Sequence, residues 1–205
     1  MKSFDINIVL VDPYHTLCEE WNRAFDGLPN VEIINGVFEE QEFDCIVTAA
    51  NSFGLMDGGI DAAMVNFFGE HVQQIAQETI IEKYRGEQPV GTSFIIETGS
   101  KKHPYLAHTP TMRIPMNISN TFNSYLAFRA ALLEVWRFNE ESNSQIIRLA
   151  CPGLGTAIGS VKHSDAANQM AQAYRSVLYP PQKLDWPYAL ESKSVLLPDN
   201  VFDYH

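Results

Sequence analysis

The chain has 205 residues, 45% of them hydrophobic and 19% charged, which suffices for one buried core without disulfide or metal staples. Its 25 acids against 14 bases leave a formal charge of −11, and no basic cluster exceeds the pair Lys101–Lys102. A duplex or an anionic membrane surface needs a basic face, so general nucleic-acid binding and membrane docking are not expected.

Ile6–Asp12 reads as a strand and Thr16–Phe25 as a helix. Val31–Asn35 is a second strand. Asp44–Ala50 is nearly all apolar, as in a strand covered on both faces. Residues 60–84 carry a helical period interrupted near Gly69. Thr92–Glu97 and Tyr105–Thr109 are further strands, the first announced by Pro89 and Gly91. Asn123–Asn139 places Tyr125, Phe128, Leu132, Leu133 and Trp136 at helical spacing. Ile146–Cys151 is a strand, and Ser164–Leu178 a helix with Ser164 as its expected N-cap. From Tyr179 onward Pro180, Pro181, Pro187 and Pro198 preclude a long helix. Trp186, Tyr188 and Phe202 predict that this extension, residues 179–205, packs on the body formed by residues 1–178. Strands interleaved with helices predict a layered α/β domain with a mostly parallel sheet.

No apolar run approaches the ~18 residues of a membrane span. The alternation at Ile6, Asn7 and Ile8 is not that of a secretory leader. Cys18, Cys45 and Cys151 are odd in number and widely spaced, and are expected to be buried free thiols in a reducing compartment, the cytoplasm. His103 and His108 have no Cys or His pair nearby, so no metal site is expected.

In parallel α/β sheets ligands bind past the C-terminal ends of strands. Two glycine-rich loops stand there. Asn51-Ser-Phe-Gly-Leu-Met-Asp-Gly58-Gly59-Ile60-Asp61 follows strand 44–50, and Cys151-Pro-Gly153-Leu-Gly155-Thr156-Ala157-Ile158-Gly159-Ser160 follows strand 146–151. Strand, glycine loop and helix point free backbone N–H groups at an anion, the device an acidic protein needs to hold phosphate. Plain turns fit each loop taken alone. Neither loop ends in the Gly-Lys-Ser/Thr of a Walker sequence, and the second is one residue too long for a dinucleotide fingerprint.

These stretches resemble the macro domain family, which binds ADP-ribose and its derivatives. DCIVTAAN at 44–51 is similar to the family strand ending in two alanines and an asparagine. Six residues then separate Asn51 from Gly58-Gly59-Ile60-Asp61, as in the hydrolytic MacroD-type branch. Residues 153–159 resemble the family's phosphate loop. His108-Thr-Pro-Thr-Met-Arg-Ile-Pro115, with Ala127–Ala131 following, is similar to a bacterial and phage-associated subgroup.

The resemblance implies a three-layer α/β/α sandwich with a mixed, mostly parallel central sheet, and an ADP-ribose pocket at the strand C-termini. It implies hydrolysis of an ADP-ribosyl bond, in ADP-ribose 1″-phosphate, an O-acyl ester or a modified acidic side chain. No metal or other cofactor is implied. A non-catalytic ADP-ribose reader, or a structural protein with a decayed pocket, are the alternatives. Asn51 would contact the distal ribose and Asp61 would position or activate water, these two being the implied catalytic residues. Phe53, Gly58, Gly59 and Ile60 would line the ribose side. Gly153, Gly155, Thr156, Ala157, Ile158 and Gly159 would wrap the diphosphate. Read without the family, Asn51 also fits an Asx turn and Asp61 a first-turn helix acid. Two departures stand out: Val37 occupies the place of an adenine-accepting Asp, with Glu39 and Glu40 nearby, and Ala157 replaces a usual glycine.

Overall fold

The computed structural model describes residues 4–191. In chain order the elements are β1 (Asn7–Asp12), α1 (His15–Ala24), β2 (Val31–Asn35), a 3₁₀ turn (Phe38–Glu40), β3 (Cys45–Asn51), α2 (Gly59–Phe68), α3 (His71–Tyr84), β4 (Phe94–Glu97), β5 (Tyr105–Met112), α4 (Asn123–Glu141), β6 (Arg148–Cys151), α5 (His163–Leu178) and α6 (Trp186–Glu191). The sheet runs β2-β1-β6-β3-β5-β4. All neighbours are parallel except the edge strand β4, which is antiparallel to β5.

The period-2 alternation of strand side chains divides the apolar residues between two cores. Ile8 and Leu10 of β1 and Val47 of β3 pack with Trp21, Phe128, Met170 and Tyr174 of α1, α4 and α5. Val9, Val11 and Ile46 face the other way, against Met64, Val72 and Ile80 of α2 and α3. The result is the expected mixed, mostly parallel α/β/α sandwich. The break near Gly69 is where the backbone takes φ 103° and separates α2 from α3. Cys18, Cys45 and Cys151 are buried free thiols. No helix among the described residues is long and apolar enough to cross a membrane.

Three sequence expectations change. β5 continues through Pro110 to Met112 instead of ending at Thr109. β4 accompanies β5 only as far as His108, so the N–H that Pro110 lacks falls where one ladder has already ended. Helix α5 starts at His163 with Lys162 as N-cap, and Ser164 turns its hydroxyl to Asp165 Oδ1. Trp186, expected against the body, is 78% exposed, whereas Tyr188 is partly buried and Phe202 lies outside the described residues.

Five parallel strands therefore end on one side of the sheet, at Asp12, Asn35, Asn51, Met112 and Cys151. The loops that leave these ends enclose the candidate site.

Candidate functional site

A cavity of about 390 Å³ opens at these strand ends, within the range of small-molecule sites. Its wall is largely apolar, with Val11, Phe38, Ile46, Ala63, Met112 and Ile158 among the lining side chains. Four carboxylates also line it: Asp12, Glu39, Asp57 and Asp61. No Lys, Arg or His among the described residues does. An anion entering here must be held by backbone dipoles.

Those dipoles are present. Residues 153–159 form a turn whose carbonyls accept from neighbouring segments: Val161 N donates to Gly155 O, Ser160 N to Ala157 O and Ile118 N to Gly159 O, while Ser124 Oγ donates to Leu154 O. The amides of residues 154–159 have no hydrogen-bond partner among the described residues. Opposite them α2 starts at Gly59 with Gly58 as N-cap and no side-chain cap, so its first-turn N–H groups are free as well. Two arrays of donors thus flank one cavity. Across its mouth Ile158 Cδ1 lies 3.8 Å from where a Gly58 Cβ would stand. Gly155 has φ 77°. Ala157 has no positive φ, so its methyl costs this backbone nothing.

Asp12, at the end of β1, organises the side formed by residues 153–159. Its Oδ1 accepts Tyr14 N–H at 3.0 Å, setting the turn into α1. Its Oδ2 accepts Gly153 N–H at 3.1 Å, tying β1 to the second loop. Sequence reasoning missed this residue. The signal was an acid closing the first strand of a parallel sheet, followed by Pro13. Asp12→Ala is expected to destabilise the fold by about 3 kcal/mol, two charge-assisted bonds being lost, and to loosen the loop. Urea melts and amide exchange at Gly153 check this, and unchanged exchange contradicts it.

Asn51 is turned into its own loop. Its Oδ1 accepts the N–H groups of Phe53 (3.1 Å) and Leu55 (3.3 Å), and its Nδ2 donates to Leu55 O at 2.6 Å. The Asx turn and the cavity wall are both its roles, with one amide hydrogen left over. Phe53 does not line the cavity. It carries the Arg113 guanidinium 5.0 Å above its ring, and Arg113 bonds Glu87 through Nε and Nη2 at 2.7 and 3.0 Å. Arg113 is therefore held in an ion pair on the surface, outside the cavity. Val37 is 40% exposed on the cavity wall and offers no acceptor. Glu39 beside it has a buried Oε2 without a partner. Of the aromatics, Tyr14 and Phe38 line the cavity, whereas Phe122, Tyr125, Tyr179 and Trp186 do not.

Asp61 is the chemically unusual group. It sits in the first turn of α2 and is only 4% exposed. Its Oδ1 is buried and unpartnered. Burial pushes its pKa up to about 7, with Thr48 pulling it down and the Asp57 charge adding to the rise. The helix dipole favours the anion, but desolvation outweighs it. A carboxyl balanced between its two forms near neutral pH can take up or release a proton there. His103 and His108 are buried, their Nδ1 atoms facing Phe43 N and Gln88 Oε1.

Gly58, Gly59, Ile60, Asp61, Gly153, Gly155, Thr156, Ala157, Ile158, Gly159 and Asn51 are thus brought to one cavity, and Phe53 is left outside it.

The macro domain family model matches residues 47–170. An uncharacterised protein of Aquifex aeolicus is 31% identical over 147 residues, covering 71% of this chain and 81% of that protein. A variant of the Oceanobacillus iheyensis macrodomain, solved with ADPR, superposes with a TM-score of 0.60 at 18% identity, covering 89% of this chain and 83% of that one. Thermosipho africanus DarTG, in complex with ADP-ribose, gives a TM-score of 0.56 at 17% identity, covering 91% of this chain and 56% of that one.

Proposed function

This chain belongs to the macro domain family, and we propose that it binds ADP-ribose or an ADP-ribosyl derivative and hydrolyses an ADP-ribosyl bond. The observation that carries the reading is the pair of free-amide arrays facing one cavity that no cation among the described residues lines. A diphosphate brings two charges to those amides. Backbone donors fixed before the ligand arrives need no reorganisation on binding.

The hydrolytic part is supported by Asp61. A carboxyl near its midpoint at neutral pH, in an apolar cavity beside the α2 amides, suits a general base for water. The substrate is a ribosyl acetal or ester: ADP-ribose 1″-phosphate, an O-acyl ester or a modified acidic side chain. Catalysis then combines the fixed diphosphate, which orients the anomeric carbon, with a proton acceptor. Asn51, with one amide hydrogen left, supports the distal ribose while its remaining bonds keep the loop in shape. A decayed pocket fits less well, because the cavity is open and Ala157 does not strain its loop.

Amide spectra during titration with ADP-ribose test the reading. The resonances of residues 154–159 and 59–61 should move together, and movement confined to other residues would refute the site. Product release from ADP-ribosyl esters tests the chemistry. Asp61→Asn should retain binding within a few-fold and lose at least about 100-fold in kcat, the range of general base catalysis. Turnover that survives in Asp61→Asn would remove this role from Asp61.

A further inference from the structure

Beneath Asp61 lies a second buried polar atom without a partner. Thr48 is fully buried and its Oγ1 makes no hydrogen bond, as is true of Asp61 Oδ1. Orphaned buried polar atoms are rare and costly. Here two of them lie on neighbouring elements, β3 and α2. Thr48 is on β3, two residues after Ile46, so strand alternation turns it to the same side of the sheet as Ile46, the side covered by α2 and α3. Its hydroxyl is near enough to the Asp61 carboxyl to favour the charged form, while falling outside hydrogen-bond geometry.

We propose that Thr48 is the positioning residue for Asp61: when the carboxyl ionises, the Thr48 hydroxyl donates to it from below and leaves its other oxygen to face the cavity. A hydroxyl is a neutral donor, so it adds no charge that would compete with the diphosphate. It also gives the carboxylate the one protein partner its surroundings otherwise lack. The other groups bearing on the carboxyl are of one sign. Asp57 precedes α2 and raises its proton affinity, and Asp12 and Glu39 stand on the same cavity from β1 and the 3₁₀ turn. Helix α3, which packs on α2, contributes no charge that bears on Asp61. Among the described residues Thr48 is thus the only side chain from a neighbouring element that favours the ionised state.

The relevance to turnover rests on the function proposed above, but the contact itself does not. Carboxyl carbon resonances give the titration midpoint of Asp61 in the free protein, with Asp61→Asn identifying the signal. Thr48→Val, close in shape but without the hydroxyl, should move that midpoint up by roughly one pH unit, the worth of a hydrogen bond to a charged group. Thr48→Ser should restore it, and Thr48→Ala gives the same comparison if the valine methyl does not fit. The pH of half-maximal hydrolysis should move in the same direction. A midpoint equal in wild type, Thr48→Val and Thr48→Ala overturns the proposal. A shifted midpoint without any ADP-ribosyl turnover keeps Thr48 as the positioning residue and removes the hydrolytic function instead.

Discussion

Asp61→Asn is expected to be more stable than the wild-type chain at pH 8, and no more stable than it at pH 3. The carboxyl has a pKa near 7 in the fold against 3.8 as the ordinary value. A group whose pKa is raised by folding contributes its full stability below the unfolded value and loses it as pH climbs through the folded one. The wild type should therefore lose stability between about pH 4 and 7. A shift of about three units corresponds to at most roughly 4 kcal/mol. Asparagine does not ionise and escapes this loss. Urea midpoints across pH 3–8 check the difference. Parallel curves for the two proteins would show that burial does not hold the Asp61 proton. The same substitution is the one expected to stop hydrolysis. Stability at alkaline pH and turnover are then traded against each other at a single residue.

Gly159→Ala is expected to abolish ADP-ribose binding, with a loss of at least about 100-fold. A Cβ at Gly159 would meet Gly155 O at 2.5 Å and Ile118 Cγ1 at 2.7 Å. The first obstacle is backbone and cannot turn aside as a side chain can. Gly155 O also accepts the Val161 N–H that closes the loop, so relief of the clash opens the amide array. Gly58→Ala is the matched control. Its Cβ would make ordinary contact with Ile158, and its φ of −147° suits any residue. Affinity in Gly58→Ala should fall far less than in Gly159→Ala. Equal losses, or retained binding in Gly159→Ala, would mean that the loop shape does not hold the diphosphate.

The sheet was legible because its information is local. The apolar run 44–50 and the alternation at Ile6–Asp12 need no tertiary contact to be recognised. The two glycine loops were legible for the same reason, each lying in one stretch of chain. What escaped was what the fold assembles from distant segments. Asp12 reaches Gly153 across 141 positions, and nothing in either local sequence announces the bond. The loss of Phe53 from the cavity follows from Arg113 and Glu87, which arrive from beyond β5 and α3. Ser164 was displaced as N-cap because the chain enters α5 two residues earlier, from an extended Lys162. The ends of β5 also depended on a neighbour, since Pro110 is tolerated only where β4 has stopped. Val37 was correctly marked as lacking an acceptor, but the buried oxygen of Glu39 is visible only in three dimensions.

The cavity, which no cation lines among the described residues, is expected to bind a ribosyl diphosphate through backbone amides. Calorimetric titration with ADP-ribose, with AMP and ribose 5-phosphate as controls, tests this most directly. Micromolar binding of ADP-ribose with no detectable binding of either fragment is the predicted result. No heat at millimolar ADP-ribose, under conditions where the protein is folded, would contradict it and leave only the fold.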